Sequence, residues 1–254
     1  VKRTFEFIWF RSLAEIRADM SRGFLGLFWW IAEPILYMAV FFVVFGVVFQ
    51  QRGGDYVAFL LCGLVVWKWF DSTTRNASMS ITHNMGLIYQ VYLPKVVFPV
   101  IALVISTLRF SFVFIILIGF LLATGHSVSS AWLTDLPLLL LLQFLLMAGI
   151  AMTFAAIVPF VPDLKFLIDN GLSLLFFLSG IFFRLDTVPV ALRDYFALNP
   201  VASFIQGYRQ ILLEGQSPDW HSLLPAIVMC ACFILLGGLL LRLWDRAYAK
   251  KAFL

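Results

Sequence analysis

Two ionisable side chains, Glu33 and Arg109, stand inside long apolar runs of this sequence. A charge at the depth of a membrane span costs about 2.5–3.5 kcal/mol and faces a partner or a wet cavity. The two either meet as an ion pair that fixes helix packing, or one of them lines a polar path and contacts hydroxyl or phosphate groups. Other reactive chemistry is sparse. His83, His126 and His221 fall in loops or at interfaces, without a Ser–His or His-x-x-x-His arrangement. Neither nucleophilic nor metal-assisted catalysis is indicated. Cys62, Cys230 and Cys232 lie in apolar runs with no histidine beside them. Their odd number and placement argue against a disulfide framework and against a metal site. The sequence holds no G-x-x-x-x-G-K-[ST] loop, so the chain does not itself cradle nucleotide phosphates.

The elements that must carry these residues follow from composition. Of 254 residues, 62% are hydrophobic and only 13% charged, where a soluble domain carries roughly 25% charged residues. Runs such as "ILYMAVFFVVFGVVF" have no polar face to offer water. A helix crosses the hydrocarbon core with about 20 apolar residues. The reading is an all-α integral membrane protein with six transmembrane helices, at about 25–49, 56–74, 96–123, 136–160, 164–183 and 222–243. Breakers such as "QQRGGD", "ATGHSVSS" and "EGQSPDW" punctuate them. With the amino terminus inside, thirteen basic residues fall on the cytoplasmic side and four outside. That bias places both termini in the cytoplasm, and the net charge of +4 needs no nucleic-acid partner.

Two segments are neither spans nor plain loops. Residues 1–23 set Phe5, Ile8, Trp9, Leu13 and Ile16 at helical spacing between Glu6, Arg11, Glu15 and Arg17. This predicts an amphipathic helix lying on the membrane surface, its apolar face in the lipid boundary. The charges also deny the stretch the apolar core of a cleavable signal peptide. Residues 184–217 follow the fifth span on the outer side. There "VPVALRDYFA" and "PVASFIQGYRQILL" read as two short helices broken at Asn199-Pro200. Each is too short to cross, so the pair predicts a re-entrant hairpin, which is tolerated only when buried in protein or beside a wet cavity. The loop between the second and third spans carries a further short helix within 76–91. Asn76, Ser78 and Ser80 favour its start, and Ile81, Met85, Ile88 and Tyr89 recur at helical spacing.

These pieces resemble the permease subunits of type-2 ABC exporters that move polysaccharides. The opening "EIRADMSRGFLGLFWWIAEPILYMAVFFVVFGVVF" carries Leu25, Gly26, Trp29, Trp30 and Pro34 in the family's order. "FLLCGLVVWKWF" is similar to its second span. "NASMSITHNMGLIYQVYLPKVVFPV" is similar to its cytoplasmic loop, with Asn84, Leu87, Ile88, Val91, Pro94 and Lys95. "FFLSGIFFRLDTVPVALRDYFALNPVASFIQGYRQILLEG" is similar to its outer hairpin, including Asn199, Pro200 and Arg209. Residues 24–254 would then form the transmembrane domain.

The resemblance implies a homodimer that pairs with two copies of a separate ATP-binding subunit. ATP and Mg would sit on that partner, with no cofactor on this chain. It implies export of a lipid-linked polysaccharide across the bacterial inner membrane, through a channel formed at the dimer interface by the first and fifth spans. O-antigen is the favoured substrate; capsular polysaccharide or teichoic acid is the alternative, since Glu33-Pro34 looks like the capsule branch and "LIYQVYLPK" like the O-antigen branch. A secondary transporter would show inverted repeats or spans broken at the midplane, and an intramembrane lipid-modifying enzyme would need clustered catalytic groups. Neither pattern is seen.

Aromatic rings stack on sugar C–H faces, so Tyr37 and Phe41 on the first span and Phe176, Phe177 and Phe183 on the fifth are the expected channel residues, with Glu33 and Arg109. Asp163, Lys165 and Asp169 mark the cytoplasmic mouth of the fifth span, where substrate would enter, and are read as interfacial anchors before substrate contacts. Arg11 and Glu15 on the surface helix and Ser80, Asn84, Leu87 and Tyr89 on the loop helix are expected to couple to the ATPase. The outer hairpin reads as a lid. Arg184, Arg193, Asn199, Pro200 and Arg209 shape it, and its charged groups are expected at the interface or in the exit.

Overall fold

The computed structural model describes residues 2–21, 32, 35–36, 39–40, 43–44, 54–91, 93–184, 188–189, 196 and 198–250. The expected first span, and with it Glu33, Tyr37 and Phe41, lies outside the described residues except for isolated positions; so does Arg193. Among the described residues the regular structure is helical. Its elements are α1 (Lys2–Ser21), α2 (Gly54–Ser78), α3 (Ser80–His83), α4 (Met85–Gln90), α5 (Val97–Ala123), α6 (Ser130–Ile157), α7 (Leu164–Leu178), α8 (Pro200–Leu212), α9 (Leu224–Leu243) and α10 (Asp245–Lys250). Four of these, α2, α5, α6 and α9, are long and apolar enough to cross a membrane.

The boundaries differ from the sequence reading where tertiary contacts intervene. α2 runs four residues beyond its expected end, because Arg75 Nε donates to Asp71 Oδ1 one turn back at 2.8 Å and holds the last turn closed. α6 begins at Ser130, six residues early, and keeps Pro137 inside the helix. Neighbouring helices re-satisfy the backbone freed by such a proline, and Ala131, Trp132, Leu136 and Leu139 are all buried. The fifth apolar run yields only the 15 residues of α7, about 22 Å at 1.5 Å per residue. It stops where Gly180 takes a positive φ of 65°, a conformation that ends helices and suits glycine.

Helix ends gather on two opposite faces. On one, Ile16 of α1 packs with Val97, Ile101 and Ile105 of α5. Ile81 and Ile88 of α3 and α4 pack with Phe98, Ala155, Ala156, Leu241 and Tyr248 on the same side. On the other, Asp55, Thr124–Ser127, Arg184 and Glu214 surround a shared recess. Segments expected on one side of the membrane thus share a face of the bundle.

Helix contacts across the bundle are close. α6 and α9 cross at two glycines: a Cβ at Gly149 would stand 2.8 Å from the Ile234 backbone N, and one at Gly237 2.7 Å from Met152 Cβ. Small residues at such crossings bring backbones together, which supplies the van der Waals packing that apolar lipid cannot. Thr153 Oγ1 adds a hydrogen bond to the Phe233 carbonyl at 3.1 Å. α2 and α5 are joined by the stacked rings of Trp69 and Phe110, 4.0 Å apart, and by Trp69 Nε1 donating to Thr107 Oγ1.

Candidate functional site

The α1 face holds a cleft of about 560 Å³. Arg11 and Glu15, one turn apart, supply the α1 wall, while Arg75 and Asn76 close the end of α2. Ser80, His83, Asn84 and Leu87 come from the α3–α4 element, and Lys165 and Asp169 from α7. The back wall is a single stripe of α5: Ile101, Ile105 and Arg109, each one turn above the last. Arg109 lies twelve residues into α5, about 18 Å along a helix axis. The cleft therefore runs from the surface of the α1 face to roughly half the depth of a bilayer core about 30 Å thick.

Five of the six expected coupling residues line this one cleft, together with Arg109. The arrangement of the element corrects its expected form. The single helix expected within 76–91 is instead the end of α2 and two short turns that meet at Asn84, whose Nδ2 donates to the Ser80 carbonyl at 2.8 Å. Asn76 and Ser78 belong to α2, and only Ser80 starts a turn. Ser80 is buried, with its hydroxyl on the Ala77 carbonyl at 2.7 Å, so it is not a surface position. Tyr89 is 48% exposed, and His83, Gly86 and Gln90 share that outer surface. The α1 reading also shifts: Ser12 and Ile16 are buried, and Ile8 packs against α5 rather than lipid, while Trp9 and Phe10 stay exposed.

An ion-pair network crosses the cleft floor. Arg75 Nη1 donates to Asp169 Oδ1 at 2.6 Å while Nε holds Asp71. The bond ties α7 to α2 and gives Asp169, expected only at a channel mouth, a defined partner. The Pro94-Lys95 pair is equally engaged. Lys95 is 3% exposed; its Nζ donates to the Leu93 carbonyl at 3.1 Å and faces Asp245 of α10 at 3.7 Å. The Tyr248 hydroxyl donates to the Ala156 carbonyl at 2.9 Å, and Phe160 packs its ring on both Trp244 and Tyr248. Burial pushes the Tyr248 phenol upward from its ordinary value, so it remains a donor. The C-terminal helix thus seats the same cluster that holds Ile81 and Ile88.

On the opposite face, α8 is buried almost all round, with Pro200–Ile205 and Gly207–Arg209 among its buried residues. Asn199 caps it: Oδ1 accepts from the Val201 and Ala202 amides, and Pro200 takes the first turn, where no amide hydrogen is needed. Asn199 Nδ2 reaches across to the Leu178 carbonyl at 3.1 Å and to Ser179 Oγ. At the other end, Arg209 donates to the Gly180 and Ile181 carbonyls, both at 2.8 Å, and to the Phe59 carbonyl at 3.2 Å. Its guanidinium lies 3.3 Å from the Phe59 ring centroid. α8 and its cap therefore supply partners for the last carbonyl of α7 and for two in the turn beyond it.

Arg209 is the clear departure from the sequence reading. Expected at the interface or in the exit, it is 7% exposed. Burial lowers its guanidinium from the ordinary range to about 10, which still leaves it charged at neutral pH. A planar fork of donors can be satisfied in the interior by three carbonyls and an aromatic face, and periodicity alone does not register such partners. Arg184 does stay at the recess, 62% exposed and 3.8 Å from Glu214. The expected channel aromatics separate. Phe177 is exposed; Phe176 turns inward, its ring 5.6 Å from Trp67; Phe183 meets Phe196 edge-on. Among the described residues no group of three His, Cys, Asp or Glu side chains converges as metal ligands do.

The described residues thus form a helical bundle with four helices fit to span a membrane, a charged cleft at one face and a buried short helix at the other. Residues 7–213 match the ABC-2 type transporter family, and the chain belongs to it. Among its relatives is the O-antigen export system permease protein RfbA of Klebsiella pneumoniae, 27% identical over 201 residues, 79% of this chain and 78% of the relative. RfbA of Myxococcus xanthus is 28% identical over 213 residues, 83% of this chain and 81% of the relative. The polysialic acid transport protein KpsM of Escherichia coli is 27% identical over 215 residues, 83% of each.

Proposed function

We propose that this chain is the permease of an ATP-driven exporter that moves a lipid-linked polysaccharide outward across the bacterial inner membrane, O-antigen before capsule. The observation that carries this reading is the cleft: it joins the exposed α3–α4 element to an arginine halfway up α5. A motion delivered at that element reaches groups able to meet an anionic phosphate linker. The relatives named for O-antigen export and polysialic acid transport support the substrate class.

The α1 face is cytoplasmic in this reading, since it gathers most of the basic residues, and both termini lie there. Two permease copies build the glycan path between them. A separate ATP-binding subunit, which carries ATP and Mg, docks on His83, Gly86, Tyr89 and Gln90. α8 and the segment before it form the outer boundary of the path, held shut between transport cycles. Capsular polysaccharide is the second reading, favoured by the KpsM match.

Deletion of the gene should remove surface polysaccharide while lipid-linked polymer accumulates inside. In a complemented strain, Tyr89→Cys should crosslink to a cysteine on the ATPase, and Ser80→Cys should not. Unchanged surface polysaccharide in the deletion strain would sink the exporter reading, and crosslinks confined to the α8 face would invert the topology.

A further inference from the structure

The α3–α4 element rests on a floor that only part of the bundle supplies. Ile81 and Ile88 pack with Phe98 at the start of α5, Ala156 at the end of α6, Leu241 of α9 and Tyr248 of α10. Among the described residues this cluster takes no member from α1, α2, α7 or α8. A push on the element is therefore received by α5, α6, α9 and α10. Two of these move as one body. The backbones of α6 and α9 meet at Gly149 and Gly237, and Thr153 Oγ1 donates across to the Phe233 carbonyl.

α10 is a direct extension of α9. Trp244 ends α9 with φ −98° and ψ 5°, and its carbonyl accepts from the Ala247 and Tyr248 amides, so α10 begins after that one residue and moves with α9. It then makes polar contacts with two other segments. Asp245 faces Lys95 Nζ at 3.7 Å, and Lys95 stands in the turn that opens α5, where the Val97 amide donates to the Pro94 carbonyl at 3.0 Å. The Tyr248 hydroxyl donates at 2.9 Å to the Ala156 carbonyl, in the last turn of α6. α10 thereby bridges the two segments on which α3 and α4 are seated. Apolar contact alone would not set that register. Hydrophobic attraction is non-directional, and a small side chain such as Ala156 would let Ile81 and Ile88 slide. An ion pair and a hydrogen bond each have one good geometry, and breaking them costs most where water is excluded. Lys95 and Tyr248 are both buried.

We infer that Lys95, Asp245 and Tyr248 are positioning residues for export: through them α10 locks the α3–α4 element to the α6–α9 pair, so that a movement imposed on the element displaces those spans and is not absorbed at the seat. The inference rests on the reading that an ATP-binding subunit docks on α3 and α4. The three side chains act through that element and not on the polymer or the nucleotide. Their loss therefore leaves docking and hydrolysis in place and breaks the link between hydrolysis and export. A purely structural role would lower all three together.

The test compares Asp245→Asn, Tyr248→Phe and Lys95→Met with the exchange Lys95→Asp plus Asp245→Lys, in the full chain with its ATPase. In cells, surface polysaccharide should appear several-fold more slowly in the single variants. The Tyr89→Cys crosslink to the ATPase and ATP hydrolysis by the purified complex should stay near wild type. The exchange should recover much of the export lost in Lys95→Met and Asp245→Asn. Spin labels at Gln90→Cys and Leu243→Cys, both exposed positions, report the register directly. Cys232 is replaced by alanine for this, since Cys62 and Cys230 are buried. The distance distribution between the labels should broaden in each single variant and narrow again in the exchange. Export that is unchanged, export and hydrolysis that fall in parallel, or a distribution that stays narrow overturns the inference. Where a variant lowers protein level, the ratio of export to hydrolysis per complex still decides. If the deletion strain exports normally, or Tyr89→Cys never crosslinks in the otherwise wild-type chain, the exporter or docking reading fails and takes the role in export with it. The label distances then show separately whether α10 holds the element.

Discussion

Replacing Arg209 with methionine keeps most of the side-chain volume and removes the donors that hold the end of α7. The carbonyls of Gly180 and Ile181, each 2.8 Å from the guanidinium, would be left buried without that partner. Such groups cost about 1–3 kcal/mol each, so about 2–6 kcal/mol is lost. Loss of stacking on Phe59, 3.3 Å away, adds to this, and release from burying a cation offsets part of it. A net destabilisation of about 3 kcal/mol follows. For a chain of this size each kcal/mol lowers the melting temperature by about 2–4 °C, so a fall of roughly 6–12 °C is expected. Tryptophan-fluorescence melting of purified protein in detergent measures it. Arg209→Lys should recover only part, because an ammonium cannot fork to two carbonyls and lie flat on a ring. Gly63→Ala provides a control, since its Cβ would stand 2.7 Å from Arg209 Nη2 and disturb the same guanidinium. The double substitution should then be less damaging than the sum of the singles. An Arg209→Met protein that melts with the wild type, or strictly additive effects, would refute the assignment of Arg209 as the clamp between α8 and α7.

The α6–α9 crossing admits no side chain, so Gly237→Val should cost several kcal/mol, with Gly149→Ala milder at about 1–3 kcal/mol as backbones are pushed apart; the same melting assay reads both. Tyr248→Phe removes one buried hydrogen bond to Ala156 and should cost about 1 kcal/mol. Because that bond seats α10 beneath α3 and α4, the variant should also show faster hydrogen exchange at Ile81 and Ile88, with the α8 region unaffected.

Much of this protein was legible in its sequence because membrane helices are a solvent problem before they are a packing problem. Long apolar runs must become helices in hydrocarbon, and α2, α5, α6 and α9 each overlap a run read from composition alone. The break at Asn199-Pro200 was equally visible, since a capping amide before proline starts a helix by local chemistry, and the structure shows that cap. The resemblance named the family from motifs spread over most of the chain.

What the tertiary structure decided was where the polar groups inside those runs find partners. Arg209 reads as a surface charge until three carbonyls from α2 and the turn after α7 are seen around it. Asp169 reads as an interfacial anchor until Arg75, distant in sequence, reaches it. Ser80 loses its expected exposure because the turn it begins packs into the bundle. The rotation of α7 about its own axis belongs with these, since its apolar residues are spread round the helix. Burial of Ile168 and Leu172 and the bonds that Asp169 and Leu178 make to distant segments set it together, because a helix's rotation is fixed only by what packs and bonds against it.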